Sequence, residues 1–148
     1  MEKEQSSDFM TATTVPQLGQ IHALLAEKGY DVSETTPDSL KIRETGSGIS
    51  VQAVLAGDIL YFSLVCIVVP RAAVTPAAMA QMLDAGNGIS TSYFQLYPAG
   101  EGQVAVTLNN FCKLQDMGPE DEDDILSCVH FLLADVIGAR RLLSSLAA

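Results

Sequence analysis

The chain has 148 residues, 48% of them hydrophobic, enough to fill one real core and too few for two. A formal net charge of −10, with eight scattered Lys and Arg and a pI near 4.3, argues against a polyphosphate partner, because few counterions would be released on contact. The longest apolar run has eleven residues, about half of the ~20 that a spanning helix needs, so nucleic acid and membrane are both excluded as expected partners.

Residues 1–13 lack periodicity and carry no apolar stretch of secretory type, which predicts a flexible N-terminus and a cytoplasmic location for a single α+β domain over residues 14–148. Thr14 then offers a cap ahead of Val15-Pro16, and Leu18, Ile21, Leu24 and Leu25 follow helical spacing up to Gly29. A first helix over about residues 15 to 28 is expected. Tyr30–Glu34 and Leu40–Glu44 read as short extended segments split by the turn chemistry of Thr35-Thr36-Pro37-Asp38, and Gly46-Ser47-Gly48 reads as a further turn.

The next stretch, Ile49–Val69, is the centre of the pattern. Gly57-Asp58 suits a two-residue hairpin turn between a strand with Val51, Ala53 and Leu55 on one face and the run Ile59–Val69, whose one polar residue is Ser63. Ile59, Tyr61, Val65, Ile67 and Val69 fall on one parity, with Leu60, Phe62, Leu64, Cys66 and Val68 on the other. Both faces of this central strand are therefore expected to be covered, and Val65→Asp is expected to prevent folding by burying an unpaired carboxylate.

Pro70 ends that strand, and Thr75-Pro76 repeats the cap-then-proline signal. A second helix of about ten residues is expected before Gly86-Asn87-Gly88, apolar enough (Ala77, Ala78, Met79, Ala80, Met82, Leu83) to want cover on more than one side. Tyr93–Tyr97 and Gln103–Leu114 flank a Gly-rich loop as a second hairpin. Val104, Val106 and Leu108 mark its inner face, and Ala105, Thr107 and Asn109 predict a wetter outer one. After Gly118-Pro119, the carboxylates Glu120, Asp121, Glu122, Asp123 and Asp124 open a long third helix that ends near Arg140 and Arg141. Both charge blocks complement the helix dipole, and the carboxylates read as a solvated helix start. Ile125, Val129, Leu132, Val136, Ala139 and Leu143 form its apolar stripe, widened by Leu126, Leu133 and Ile137.

The glycines of Gly46-Ser47-Gly48 and Gly86-Asn87-Gly88 lack the continuation that phosphate loops need. There is no Gly-x-Ser-x-Gly elbow, and His22 and His130 sit on separate helices without a ligand-spaced neighbour, so both read as flank residues. The acidic run lacks the glycine and the distal Glu of a calcium loop. Cys66, Cys112 and Cys128 match neither a disulfide framework nor a zinc pattern and read as small buried hydrophobes in a reducing compartment. No catalytic, cofactor-binding or metal residue is singled out, and no cofactor is expected.

The order helix, short strands with a long hairpin, short helix, hairpin, long helix over residues 14 to 146 resembles the type III secretion chaperone-like fold. The segment Met82-Leu83-Asp84-Ala85-Gly86-Asn87 through Tyr93-Phe94-Gln95-Leu96 is similar to the place where two groups with that fold, the secretion chaperones and the bacterial sensory transduction regulator family, have a short helix, an Asn-containing turn and a strand. The fold so implied is α+β, an antiparallel sheet of about five strands with three helices in the order α-β-β-β-α-β-β-α.

The resemblance implies a non-enzymatic protein-binding module, chaperone-like or a regulatory adaptor. It would act through sheet-edge and apolar helix surfaces on an unidentified protein or peptide, and pair with itself as a homodimer through the second helix and its neighbouring strand. The alternatives are a type III secretion effector chaperone, and a small-ligand sensor or enzyme with an unrecognised site. The homodimer also has a physical basis: the first and third helices can cover one sheet face, whereas the short second helix is too small to cover the other alone. Because no metal is expected to couple to folding, adding EDTA should leave the melting temperature unchanged in a calorimetric scan.

Overall fold

The computed structural model describes residues 16–147. In chain order the elements are α1 (Leu18–Glu27), β1 (Asp31–Thr36), β2 (Ser39–Arg43), β3 (Ser50–Ala56), β4 (Ile59–Pro70), α2 (Pro76–Leu83), β5 (Tyr93–Pro98), β6 (Gln103–Lys113) and α3 (Pro119–Leu142), with short 3-10 turns at Arg71–Ala73 and Ser144–Ala147. The six strands form one antiparallel sheet in the order β1-β2-β3-β4-β6-β5. The class is the expected α+β, but six strands replace about five, and four of them precede α2. Both short candidates are strands because the turn between them is held by side chains: Thr36 Oγ1 accepts the Asp38 N–H at 3.2 Å, and the Thr35 and Thr36 hydroxyls lie 2.7 and 2.6 Å from Ser39 Oγ.

The described residues form two compact units, the chain up to Tyr61 with Phe111–Ser127, and Phe62–Asn110 with the chain from Cys128 onward. In the first unit α1 packs against β1 and β2 through Ile21, Leu24 and Leu25. The helix begins at Leu18 rather than near residue 15. Gln17 is extended at φ −129° and ψ 138°, which leaves Pro16 outside the first turn, and the expected cap Thr14 lies outside the described residues. At its other end Gly29, at φ +99°, donates to Ala26 O while Tyr30 N–H reaches back to Leu25 O, the paired bonds that close a helix on a left-handed glycine. His22 lies 3.6 Å from Glu34 on this half-exposed flank, a pair worth little at such exposure.

The acidic helix start is not uniformly solvated, as the sequence suggested. Asp121 is only 3% exposed, and its Oδ2 accepts the Gln115 and Met117 N–H groups at 2.8 and 2.7 Å. A carboxylate with two backbone donors can be buried where an unpartnered one cannot. It also clamps Met117, the one non-glycine among the described residues at positive φ (58°).

In the second unit α3 buries Val129, Leu132, Val136 and Ala139, as its spacing predicts, and Leu143 just past its end is buried too, but Ile137 is 63% exposed and does not widen the stripe. Burying each large aliphatic side chain of that stripe contributes about 1.5–3 kcal/mol. The polar residues of β6 also depart from expectation. Thr107 and Asn109 are buried, not wet, because Thr107 Oγ1 donates to Gln95 O at 3.2 Å and Asn109 Nδ2 to Tyr93 O at 3.3 Å and Thr107 Oγ1 at 2.7 Å. Short side chains lying across the ladder thus find acceptors on the neighbouring strand.

β4 departs furthest from its sequence pattern. Leu60, Phe62, Leu64 and Cys66 are buried, while on the other parity Tyr61 and Val65 are exposed, Val65 at 49%. Beyond Cys66 the alternation breaks, with Val68 exposed and Val69 buried. One parity is covered by this chain and the other is open, as on a sheet with a single layer over it. Leu64→Asp should therefore abolish the cooperative thermal transition. Val65→Asp should fold and melt within about 4 °C of the parent, the effect of ~1 kcal/mol of lost strand preference, as followed by circular dichroism.

Candidate functional site

The surface that the fold leaves available in the second unit is built around α2 and β5. Thr75 Oγ1 accepts the Ala78 N–H at 3.1 Å, and Pro76 occupies the first turn, so the expected cap is present. The helix ends at Leu83 rather than nearer Gly86, because Asp84 is extended at φ −66° and ψ 138° and its Oδ2 takes the Gly86 N–H at 2.9 Å. Eight residues give two stripes, each one turn apart. Ala78 and Met82 face inward, and Met79 and Leu83 face out, with Leu83 80% exposed. The expectation of cover on more than one side is not met within this chain.

The loop from α2 to β5 is tied down by polar contacts that hydrophobic patterning does not reveal. Asn87 Nδ2 donates to Met82 O at 2.7 Å and so satisfies a carbonyl of the last helical turn, while its Oδ1 accepts Ile89 N–H at 2.9 Å. Ser90 gives both its N–H and its hydroxyl to the carboxylate of Asp135 on α3, at 3.1 to 3.3 Å. That bracket ties the loop between α2 and β5 to α3.

On β5 the register Phe94↔Leu108 and Leu96↔Val106 puts Phe94 and Leu96 on the same parity as those two buried residues. With Met79, Met82, Leu83 and Gln95 they line an apolar cleft of about 180 Å³. Methionines suit such a surface, because an unbranched thioether repacks easily against different partners. The other parity of β5 carries Tyr93, Gln95 and Tyr97, with Tyr97 Oη donating to Gln95 Oε1 at 2.6 Å.

β5 is also an edge of the sheet. Ala99 N–H donates to Gln103 O at 3.1 Å, which fixes the phase of the ladder. Tyr93, Gln95 and Tyr97 turn their main-chain groups toward β6, and Phe94 and Leu96 turn theirs outward. No charged residue occurs between Ala85 and Gly100. A wider, more polar cleft of about 890 Å³ lies on the other flank of α2, where Gln81, Asn87, Gly138 and Arg141 meet.

Among the described residues no three His, Cys, Asp or Glu gather as a metal site. Burial pushes the Cys66 thiol up to about 11, against the opposing pull of Arg140 and a backbone bond to Leu108, so it is protonated at neutral pH and a poor nucleophile. Cys112 is buried and Cys128 half-buried. His130 is exposed beside the ring of Phe131. Nor is any described helix long and apolar enough to cross a membrane.

Two solved structures share this architecture. YbjN, a candidate transcription regulator from E. coli, superposes with a TM-score of 0.61 at 18% identity, covering 85% of this chain and 92% of its own. A chain from the heterodimeric ExoU–SpcU complex of the type III secretion system of Pseudomonas aeruginosa superposes with a TM-score of 0.55 at 15% identity, covering 82% of this chain and 96% of its own. No family model matches the sequence, and no curated protein matches it. The fold is type III secretion chaperone-like, as the order of elements implied. The bracket beside the cleft has a measurable role: Asp135→Ala should cost about 1–3 kcal/mol in denaturant unfolding, because two Ser90 donors lose their acceptor.

Proposed function

We propose that this chain is a non-enzymatic protein-binding module, a chaperone-like or regulatory adaptor of the cytoplasm, that receives a partner protein in the cleft between α2 and β5 and works as a homodimer. The observation that carries this reading is Leu83, 80% exposed at the lip of an apolar cleft whose β5 side belongs to a stretch, Ala85 to Gly100, without charge in an otherwise acidic chain. Exposed apolar ground of this kind is costly in water unless something covers it. The fold neighbour found in a heterodimeric complex supports a role in binding protein. Its secretion-system origin favours, as a second reading, an effector chaperone, in which the cleft would hold an apolar stretch of an unfolded chain.

Pull-down from the native host with the parent protein and with Leu83→Asp, read by mass spectrometry, separates these readings. A partner enriched by the parent and weakened about tenfold or more by the variant fits the cleft, since burying a leucine is worth about 1.5–3 kcal/mol and each 1.4 kcal/mol is tenfold. A partner identified as a secreted effector selects the chaperone reading. Equal capture by a variant with an unchanged melt would reject the cleft as the contact surface.

A further inference from the structure

The wider cleft on the other flank of α2 differs in chemistry from the apolar one. Gln81 and Asp84 of α2 and its end, Gly86 and Asn87 of the following loop, and Gly138 and Arg141 of α3 line a space of about 890 Å³, all within the second unit. Gly138 lies inside α3, where glycine is a poorer helix former than alanine. A Cβ added to it would meet nothing within 4 Å, and its φ is outside the left-handed region. Neither packing nor backbone conformation calls for a glycine there. What its missing side chain leaves is room above the helix, on the cleft.

Two opposite charges line that room without pairing. Among the described residues Arg141 has no carboxylate within ion-pair distance, and Asp84 has no cation. Asp84 Oδ2 accepts the Gly86 N–H at 2.9 Å, which holds the carboxylate against the loop and leaves its Oδ1 without a described partner. The Asn87 amide is committed on both atoms, to Met82 O and to the Ile89 N–H, whereas the Gln81 amide has no described partner. The cleft therefore offers a guanidinium fork, a carboxylate oxygen and an amide that both donates and accepts.

We infer that this cleft binds a small zwitterion, a molecule carrying both a carboxylate and an ammonium, with the carboxylate on Arg141 and the ammonium on Asp84. A lone anion would meet the Asp84 carboxylate in a chain of net charge −10, and a lone cation would meet Arg141. Each singly charged ligand thus satisfies one group and opposes the other. A planar guanidinium takes a carboxylate through two parallel hydrogen bonds, and a carboxylate accepts from an ammonium in any rotation about its stem. A free amino acid and a short peptide share this chemistry and differ in how far apart their two charges lie.

Saturation-transfer NMR with alanine, 4-aminobutyrate and dialanine at millimolar concentration tests the site and separates these sources. At least one probe should bind the parent saturably, and the tightest reports the span between the two charges. Arg141→Gln and Asp84→Asn should each weaken that probe about tenfold or more, the loss of one charge-assisted contact, and Asp84→Asn keeps an acceptor for the Gly86 N–H. Gly138→Leu fills the room above α3 and should abolish binding. Gly138→Ala should raise the melting temperature by about 2–4 °C, because alanine favours the helix and meets no neighbour. No saturable binding by any of the three probes, or binding indifferent to both charge substitutions, overturns the site. Weakening by only one of the two overturns the zwitterion, since a single charge would then carry the contact. Capture of a partner through Leu83 is read on the other flank of α2 and stands or falls separately.

Discussion

Cover, more than hydrophobicity, is the constraint on which the rest of this structure depends. Along β3 and β4 apolar residues occur on both parities, yet Val51, Ala53, Leu60, Phe62 and Leu64 are buried while Val54, Tyr61 and Val65 are not. A strand's two faces need two layers, and the helices of this chain are few and, in the case of α2, short. What they do not reach stays at the surface. The polar residues buried on β6 escape this rule because Thr107 and Asn109 find acceptors on β5, so their burial requires partners within the sheet.

The same constraint explains where the fold was legible in the sequence. Turns and caps are local, and their chemistry is carried by the residues themselves: Gly57 at positive φ between β3 and β4, Thr75 and Pro76 opening α2, Gly29 closing α1. The α3 stripe from Val129 to Leu143 was equally plain, because its period alone defines a face. Burial on the second parity of β4 was not legible. Val65 has the same composition-level signal as Leu64, and the difference between them lies in what packs above each.

Polar burial was the other blind spot, and for a related reason. Asp121 sits in a run of five acidic residues that looks solvated, yet it alone among them is buried, because the chain turns back to present the Gln115 and Met117 N–H groups. Asp135 likewise lies in the middle of an apolar helix, with its partner Ser90 forty-five positions away. The second helix and its neighbouring strand were singled out through resemblance to a fold. The cleft between them depends on Asn87 and Ser90, whose contacts no residue pattern announces.

The irregularity of β1 has a consequence for solubility. Its register slips between Glu34 and Thr36, and two carboxylates punctuate a strand of six residues. Such an edge is a poor template: an incoming strand meets a break in the spacing of the hydrogen-bonding groups and a local negative field. A sheet with one guarded margin is poorly suited to adding copies end over end. Growth by edge pairing would stop at that margin, which works against propagation into fibres.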